Sequence, residues 1–322
     1  MEDELKVAVL DLGSTSFRLV LAEADREGRI VPLSSKRAAL NLGLVVGRDG
    51  EISEPHATAA VSTVARFRRY AERARPDLIL TVATSALRDA SNRDDVLPRL
   101  EAAAREPIRV LTGREEAALM FAALHAGLGL EGETILGIDL GGGSLEIALG
   151  DDVSLDWAGS LELGASRLTG QFVRHDPIKP SEARSLGEHV GRSLIPVTDE
   201  VTRWGDVRCV AAGGTVKALA RLVAAAAVQG EWDSVHGFSM GAADLDAMRD
   251  RLLDASRDKR LRMPGMNERR ADVLAAGAVV LSTLAELLRL PEITVSEWGV
   301  REGIILEALG LVEPTRLAAA SA

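Results

Sequence analysis

Short apolar runs along the chain alternate with longer stretches in which apolar residues recur at helical spacing. The short runs, which are bounded by glycine and polar residues, predict strands. They lie at residues 7–10, 17–22, 78–83, 108–111, 135–138, 145–149, 207–212 and 293–295. The longer stretches predict helices, the clearest at residues 114–126, 181–200, 216–227, 242–255 and 269–289. Strands that alternate with helices predict an α/β fold with partly parallel sheets.

One strand–turn–strand pattern occurs twice, in residues 7–23 (VAVLDLGSTSFRLVLAE) and in residues 135–150 (ILGIDLGGGSLEIALG). In each copy an aspartate, Asp11 or Asp139, follows the first apolar run, and a glycine stands two positions later. Aligning the two aspartates places Arg18 of the first copy opposite Glu146 of the second. Two copies of one β-hairpin would line two faces of a cleft, with a cation on one face where the other has a carboxylate.

Both hairpin turns have the composition of an anion-binding site. Glycines let the backbone approach a ligand closely, and successive N–H groups in such a turn can converge on an anion. The turns also carry short hydroxyl donors, at Ser14, Thr15, Ser16 and Ser144. The two aspartates would repel a bare phosphate, but Mg²⁺ takes one or two carboxylates together with phosphate oxygens and would make the pairing favourable. The alternative is a pair of tight hairpins capped by aspartate, without a ligand.

Two further segments place polar groups directly after a predicted strand, where ligands of open α/β sheets bind. Residues 83–92 (ATSALRDASN) contain Arg88, which could donate two N–H groups to a phosphate or, alternatively, pair with an aspartate in a solvated loop. Residues 211–219 (AAGGTVKAL) place backbone N–H groups at a helix N-terminus, where Lys217 could add a positive charge. Helix capping is an equal competitor for this second segment, whose candidate residues are Gly213, Gly214 and Thr215.

The helix predicted at residues 114–126 begins with two adjacent glutamates that have different roles. Thr112 and Glu115 have the spacing of a capping box, which gives Glu115 a structural function. Glu116 has no such function, and an ionised carboxylate aimed into a cleft can accept a proton from water. The alternative for Glu116 is simple complementarity to the positive end of the helix dipole.

Composition narrows the class of protein. The chain has 322 residues, enough for two domains, and 38 basic against 48 acidic residues give a net charge of −10. This charge argues against nucleic acid or a membrane surface as a partner recognised through overall charge. The chain has one cysteine, Cys209, which excludes an internal disulfide. The first residues (MEDELK) lack the pattern of a signal peptide, and the apolar runs are too short to cross a membrane. We therefore expect a soluble cytoplasmic protein.

Seven motifs, in this order along the chain, resemble those of the exopolyphosphatase and guanosine pentaphosphate phosphohydrolase (Ppx/GppA) family. They are DLGSTSFRL, ATSALRDASN, GREEA, DLGGGSLE, GGT, RRAD and SEWGVREG. The resemblance implies two ribonuclease-H-like domains of the actin, Hsp70 and sugar-kinase superfold with the active site in the interdomain cleft. The implied N-terminal domain covers residues 1–119 and about 304–316, and the C-terminal domain covers residues 120–303.

The resemblance also implies roles for individual residues. It makes Glu116 the base that activates water, and it assigns Asp139 and Glu146, with Asp11 nearby, to a divalent metal, Mg²⁺ or Mn²⁺. The phosphate-contacting side chains are then Ser14, Thr15, Ser16, Arg18 and Arg88. Other phosphates would be held by the backbone of Gly141, Gly142, Gly143 and Ser144 and of Gly213, Gly214 and Thr215. Two positions depart from the usual motifs, because Thr15 stands where the family has asparagine and Leu145 where it has threonine.

The implied reaction is metal-assisted hydrolysis of the terminal phosphoanhydride of inorganic polyphosphate. Short chains are the expected substrates, because the sequence resembles the short two-domain form without the additional helical region of longer members. The alternatives are hydrolysis of guanosine pentaphosphate, phosphoryl transfer by a sugar kinase or ATPase of the same superfold, and a polyphosphate or alarmone sensor with little turnover. The resemblance further implies a homodimer.

Overall fold

The chain folds into two mixed β-sheets, each flanked by helices. The computed structural model describes residues 4–152, 154–205, 207–227 and 234–313. The first sheet has the order β3-β2-β1-β4-β5. Its strands are β1 (Leu5–Leu12), β2 (Ser16–Ala24), β3 (Ile30–Ala39), β4 (Leu78–Ala83) and β5 (Arg109–Val110). The helices around it are α1 (Leu42–Asp49), α2 (Glu54–Ala74), α3 (Ser85–Asp89) and α4 (Arg93–Ala104). We call β1–β5 with α1–α4 the first lobe.

The second sheet has the order β10-β11-β9-β6-β7-β8. Its strands are β6 (Ile135–Leu140), β7 (Leu145–Gly150), β8 (Leu155–Leu161), β9 (Arg208–Ala212), β10 (Ser239–Gly241) and β11 (Glu292–Val295). Its helices are α6 (Ala165–Phe172), α7 (Pro180–Thr202), α8 (Gly214–Ala227), α9 (Ala242–Asp254), α10 (Arg257–Leu261), a 3₁₀ turn (Glu268–Arg270) and α11 (Leu274–Leu287). We call β6–β11 with α6–α11 the second lobe.

The hairpin that occurs twice in the sequence occurs once in each sheet, with the same pairing register. In the first lobe β1 and β2 are antiparallel with Asp11 paired to Arg18, and in the second lobe β6 and β7 are antiparallel with Asp139 paired to Glu146. Each hairpin continues into a third antiparallel strand on one side and a parallel strand on the other. The predicted α/β class and the internal repeat are therefore confirmed.

Helix α5 (Gly113–Leu128) lies between the two sheets. On one face Leu119 packs with Val9 and with Ile304 of α12 (Val300–Ala308), next to the first sheet. On the other face Phe121 and Leu124 pack against strands of the second sheet. The domain boundary expected at residues 119 and 120 falls inside this helix and stays a proposal, and residues 314–316 of the same expectation lie outside the described residues.

The lobes also meet where α1 lies against α6. A Cβ atom on Gly47 would be 2.5 Å from the carbonyl oxygen of Arg167, and one on Gly170 would be 2.4 Å from the carbonyl oxygen of Leu44. Only glycine allows backbones to approach so closely. Arg167 adds an ion pair to Asp89 at the end of α3 and donates from Nε to the carbonyl oxygen of Gly143 at 2.9 Å.

The prediction of one helix over residues 269–289 is wrong at the N-terminal end. The chain forms the 3₁₀ turn, in which the Asn267 side chain accepts from the backbone N–H of Arg269, and α11 begins only at Leu274. The break lets Arg270 turn inward, where it is 6% exposed and donates to Thr215 Oγ1 at 3.2 Å. No helix in the described ranges is long and apolar enough to span a membrane.

Candidate active site

Five strands direct their carboxyl ends toward one cavity of about 120 Å³, which residues of both lobes line. In the first lobe β1 and β4 are parallel, and in the second lobe β6, β9 and β11 are parallel. The turns after these strands therefore meet at the same edge, where α/β proteins bind ligands. Among the residues expected at the site, those that line the cavity are Asp11, Ser14, Thr15, Ser16, Arg18, Glu116, Asp139, Gly141, Gly142, Gly143, Ser144, Glu146, Gly213 and Gly214.

The two hairpin turns face each other across this cavity. Ser14 Oγ lies 2.8 Å from Ser85 Oγ, and Thr15 Oγ1 lies 2.9 Å from Ser166 Oγ of the opposite lobe. A Cβ atom on Gly143 would be only 1.8 Å from Ser85 Oγ. Thr15, where the family motif usually has asparagine, thus forms a hydrogen bond that links the lobes.

Gly213 shows why the turn after β9 needs glycine. Its φ is +97°, which is unfavourable for residues with a side chain, and a Cβ atom there would be 2.3 Å from Asp139 Oδ1. The backbone can therefore lie directly beside the carboxylate that ends β6. Thr215, two residues later, is fully buried and donates from Oγ1 to the carbonyl oxygen of Gly141 at 3.3 Å. Its side chain thus connects two turns and does not line the cavity.

Arg88 does not line the cavity either, although it contacts a residue that does. Its Nη1 donates to Glu116 Oε2 and, at 2.9 Å, to the carbonyl oxygen of Leu111, and its Nε donates to Asp89 Oδ1 at 3.2 Å. The pairing with Asp89 that the sequence left open as an alternative is therefore present. Arg88 also holds the Glu116 carboxylate in a fixed orientation.

Glu116 is placed by the start of α5. Thr112 and Glu115 form the predicted capping box, in which Thr112 N and Oγ1 both donate to Glu115 Oε2 at 2.8 Å. Glu116, the next residue, is 4% exposed and lines the cavity. Burial and the nearby charge of Glu146 raise the pKa of Glu116 well above its usual range, and the ion pair with Arg88 opposes that rise.

Two more carboxylates lie at the same end of the cavity. Burial, followed by the charge of Asp139, raises the pKa of Glu146 to about 7, while hydrogen bonds from Ser144 and Ser160 oppose the rise. Burial raises the pKa of Asp139 to about 6 against the nearby positive charge of Lys217. Burial also raises the pKa of Asp11, which Arg301 approaches to 3.9 Å. Carboxylates whose pKa values are raised by burial are typical of functional sites.

Four basic side chains line other parts of the cavity, beside glycine and hydroxyl residues. Arg18, Lys217, Arg270 and Arg301 all belong to its wall. Burial and the neighbouring cations lower the pKa of Lys217 to about 8, that of Arg270 to about 9 and that of Arg18 to about 10. The site thus combines an acidic end near Glu116 with a group of crowded cations, an arrangement suited to a metal-bound phosphate chain.

Sequence reasoning missed Arg301 and Arg270 as site residues. Arg301 follows β11, so the rule that turns after parallel strands meet at one edge could have found it. Arg270 follows no strand, but both arginines lie within family motifs, RRAD and SEWGVREG, whose chemistry the residues alone do not reveal. Leu145, the second departure from the family motif, is fully buried in the core of the second lobe, so its side chain does not reach the cavity.

The close approach of the β6–β7 turn to the start of α6 makes Gly164 sensitive to substitution. A Cβ atom on Gly164 would be 2.2 Å from the carbonyl carbon of Gly143, so Gly164→Ala should lower the free energy of unfolding by about 1–3 kcal/mol. Urea denaturation measures the change. Gly187→Ala in α7 is the control, because open space surrounds that position and alanine should there add about 0.8–1 kcal/mol of helix stability. Equal stability of the Gly164 variant and the wild type would contradict the prediction.

The fold and the cavity define an α/β protein of the actin, Hsp70 and sugar-kinase superfold, with its polar site in the cleft between two ribonuclease-H-like domains. The sequence profile of the Ppx/GppA phosphatase family matches residues 19–311. The chain belongs to this family.

Individual relatives agree with this assignment. Exopolyphosphatase 1 of Mycobacterium tuberculosis is 32% identical over 307 residues, which cover 95% of this chain and 88% of the relative. The crystal structure of an exopolyphosphatase from Cytophaga hutchinsonii is similar with a TM-score of 0.86 at 25% identity, covering 96% of this chain and 99% of that one. Nucleoside triphosphate hydrolases from Neospora caninum share the fold alone, with a TM-score of 0.55 at 11% identity over 99% and 96% of the two chains.

Proposed function

We propose that this protein hydrolyses the terminal phosphoanhydride bond of inorganic polyphosphate. One observation carries the proposal: one cavity has three carboxylates, Glu116, Asp139 and Glu146, toward one end and four basic side chains elsewhere in its wall. The names of its relatives, exopolyphosphatases of Mycobacterium tuberculosis and Cytophaga hutchinsonii, support the same substrate class.

The charge distribution supports one orientation of the substrate. A polyphosphate carries negative charge on every unit, so its internal phosphates are attracted to Arg18, Lys217, Arg270 and Arg301. The terminal phosphate would then lie at the acidic end, near Glu116. Backbone N–H groups of the turns at residues 141–144 and 213–214 could bind its oxygens, because such turns converge on anions.

The carboxylates at the acidic end fit a divalent cation. Asp139 and Glu146, with Asp11 nearby, are oxygen donors whose pKa values desolvation raises, and a bound cation would oppose that rise. No group of three metal-ligating side chains occurs among the described residues, so phosphate oxygens and water would complete the coordination, as Mg²⁺ prefers. Mg²⁺ or Mn²⁺ bound there would neutralise charge on the terminal phosphoryl group.

Glu116 is proposed as the general base. Its oxygen takes a proton from water as the water oxygen attacks the terminal phosphorus, and the bond from that phosphorus to the bridging oxygen breaks. The shortened chain leaves with the electron pair of that bond. The raised pKa of Glu116 makes its carboxylate a better proton acceptor near neutral pH, and Arg88 fixes its orientation. Positioning and electrostatics supply most of the acceleration in phosphoryl transfer.

Release of orthophosphate by the purified protein tests the function. Triphosphate and long-chain polyphosphate are supplied at matched concentrations with Mg²⁺, with Mn²⁺ and with EDTA, and guanosine pentaphosphate is supplied in parallel. We expect metal-dependent release from polyphosphate that exceeds release from guanosine pentaphosphate. The reverse order would favour the alarmone hydrolase, and binding without release would favour the sensor. The homodimer implied by the family resemblance stays a prediction, which light scattering of the same sample tests.

A further inference from the structure

Arg37 lies on β3, directly beside the cavity but outside its wall. The strand register pairs Arg37 with Arg18 of β2, and Arg37 Nε donates to Ser16 Oγ at 2.9 Å. Ser16 and Arg18 both line the cavity. The sequence did not indicate Arg37 as a site residue, because β3 has mostly exposed positions and no motif.

The guanidinium of Arg37 is incompletely satisfied. Its Nη2 is buried and has no hydrogen-bond partner, and no described carboxylate lies within ion-pair distance of Arg37. A buried donor without an acceptor costs free energy, so an anionic group that reached it would be bound favourably. Arg37 therefore has an unused N–H donor next to a site that we assign to a polyanion.

Cations from outside the first lobe, in the 3₁₀ turn and in α12, act on Arg37. Burial lowers the pKa of Arg37, and the charges of Arg269 and Arg301 lower it further. Among the charges near Arg270 of the 3₁₀ turn, that of Arg37 lowers the pKa of Arg270 the most. Arg269 and Arg270 are adjacent in that turn, Arg270 inside the cavity wall and Arg269 exposed. The positive region thus extends from the cavity outward, with one lobe supplying Arg37 and the other Arg269.

We propose that Arg37 and Arg269 bind the part of the polyphosphate that extends beyond the cavity. The inference rests on the proposed function, and it makes these two arginines determinants of chain length. A triphosphate ends within the cavity and gains little from them. A longer chain passes between the two arginines, and one charge-assisted contact to Arg37 changes its affinity by about tenfold.

Kinetics of Arg37→Gln with triphosphate and with long-chain polyphosphate test this inference. We expect KM for the long chain to rise about tenfold with kcat nearly unchanged, and KM for triphosphate to change by about twofold at most. Lys36→Gln is the matched control, because Lys36 is the neighbouring exposed cation of β3 and its Nζ lies 5.4 Å from the Tyr70 ring. That variant should resemble the wild type with both substrates.

Two further measurements separate the possible outcomes. If Arg37 only supports Ser16, Arg37→Gln will weaken both substrates equally, and that result, like no effect on either, would overturn the inference. Arg269→Gln should give the same length-dependent rise in KM. Calorimetric binding of long polyphosphate to Glu116→Gln protein, with and without Arg37→Gln, decides the inference even if the wild type releases no phosphate, in which case the proposed function alone fails.

Discussion

Glu116→Gln protein is expected to release phosphate from polyphosphate at least about 100-fold more slowly than the wild type, with substrate affinity changed by only a few-fold. Glutamine keeps the shape of the side chain and an oxygen that can accept from Arg88, but its amide cannot take a proton from water. The loss should therefore be confined to kcat. Steady-state kinetics with triphosphate, together with calorimetric binding, measure both quantities.

The adjacent glutamate is the control for this variant. Glu115 accepts from the backbone and hydroxyl of Thr112 and pairs with Arg109 at 2.9 Å, so it belongs to the capping box and not to the cavity. Glu115→Gln should retain kcat within a few-fold and lower stability by about 0.5–2 kcal/mol at most. Turnover by the Glu116 variant close to that of the wild type would remove this residue from the role of base.

Glu146→Gln is expected to stabilise the metal-free protein at alkaline pH even though it damages the proposed site. The pKa of Glu146 is raised from 4.5 to about 7, so the folded state holds this proton more tightly than the unfolded state. The stability from that proton is full below pH 4.5 and is lost as the pH rises through about 7. Glutamine, which does not titrate, escapes this loss and still offers an oxygen to Ser160. The gain at pH 8 should be on the order of 2 kcal/mol.

Thermal unfolding in EDTA between pH 5 and pH 8 measures this effect as the difference in Tm between variant and wild type. The difference should grow with pH. Mg²⁺ should then raise the Tm of the wild type more than that of Glu146→Gln, since a ligand that binds the folded state stabilises it. A difference that is independent of pH would contradict the raised pKa of Glu146, and an equal response to Mg²⁺ would contradict its proposed role as a metal ligand.

The parts of the site that lie in local motifs could be predicted from the sequence. The hairpins at Asp11 and Asp139 could be recognised because a strand, a tight turn and a second strand each have a characteristic residue pattern within a few positions. The capping box assigned Glu115 a structural function and so singled out Glu116. Fold class followed from the same periodic patterns together with the family resemblance.

Features that depend on packing between distant segments could not be predicted in this way. Helices α1 and α6 are only eight residues long, and β3 is largely exposed, so the first two are too short and the third too exposed for an apolar period to predict them. The inward turn of Arg270 requires the break before α11, which tertiary contacts stabilise. Arg37 reaches the cleft only because β3 pairs with β2, a register that depends on sheet assembly.

The seam between α1 and α6 has a consequence for the catalytic cycle. Glycines on each helix meet the main chain of the other, and polar contacts between side chains join the lobes beside these glycines. An enzyme that removes one phosphate at a time must free its product and admit a new chain end in every round. If this protein works in that way, each opening would have to break and remake the ion pair of Arg167 with Asp89 and the hydrogen bond between Thr15 and Ser166.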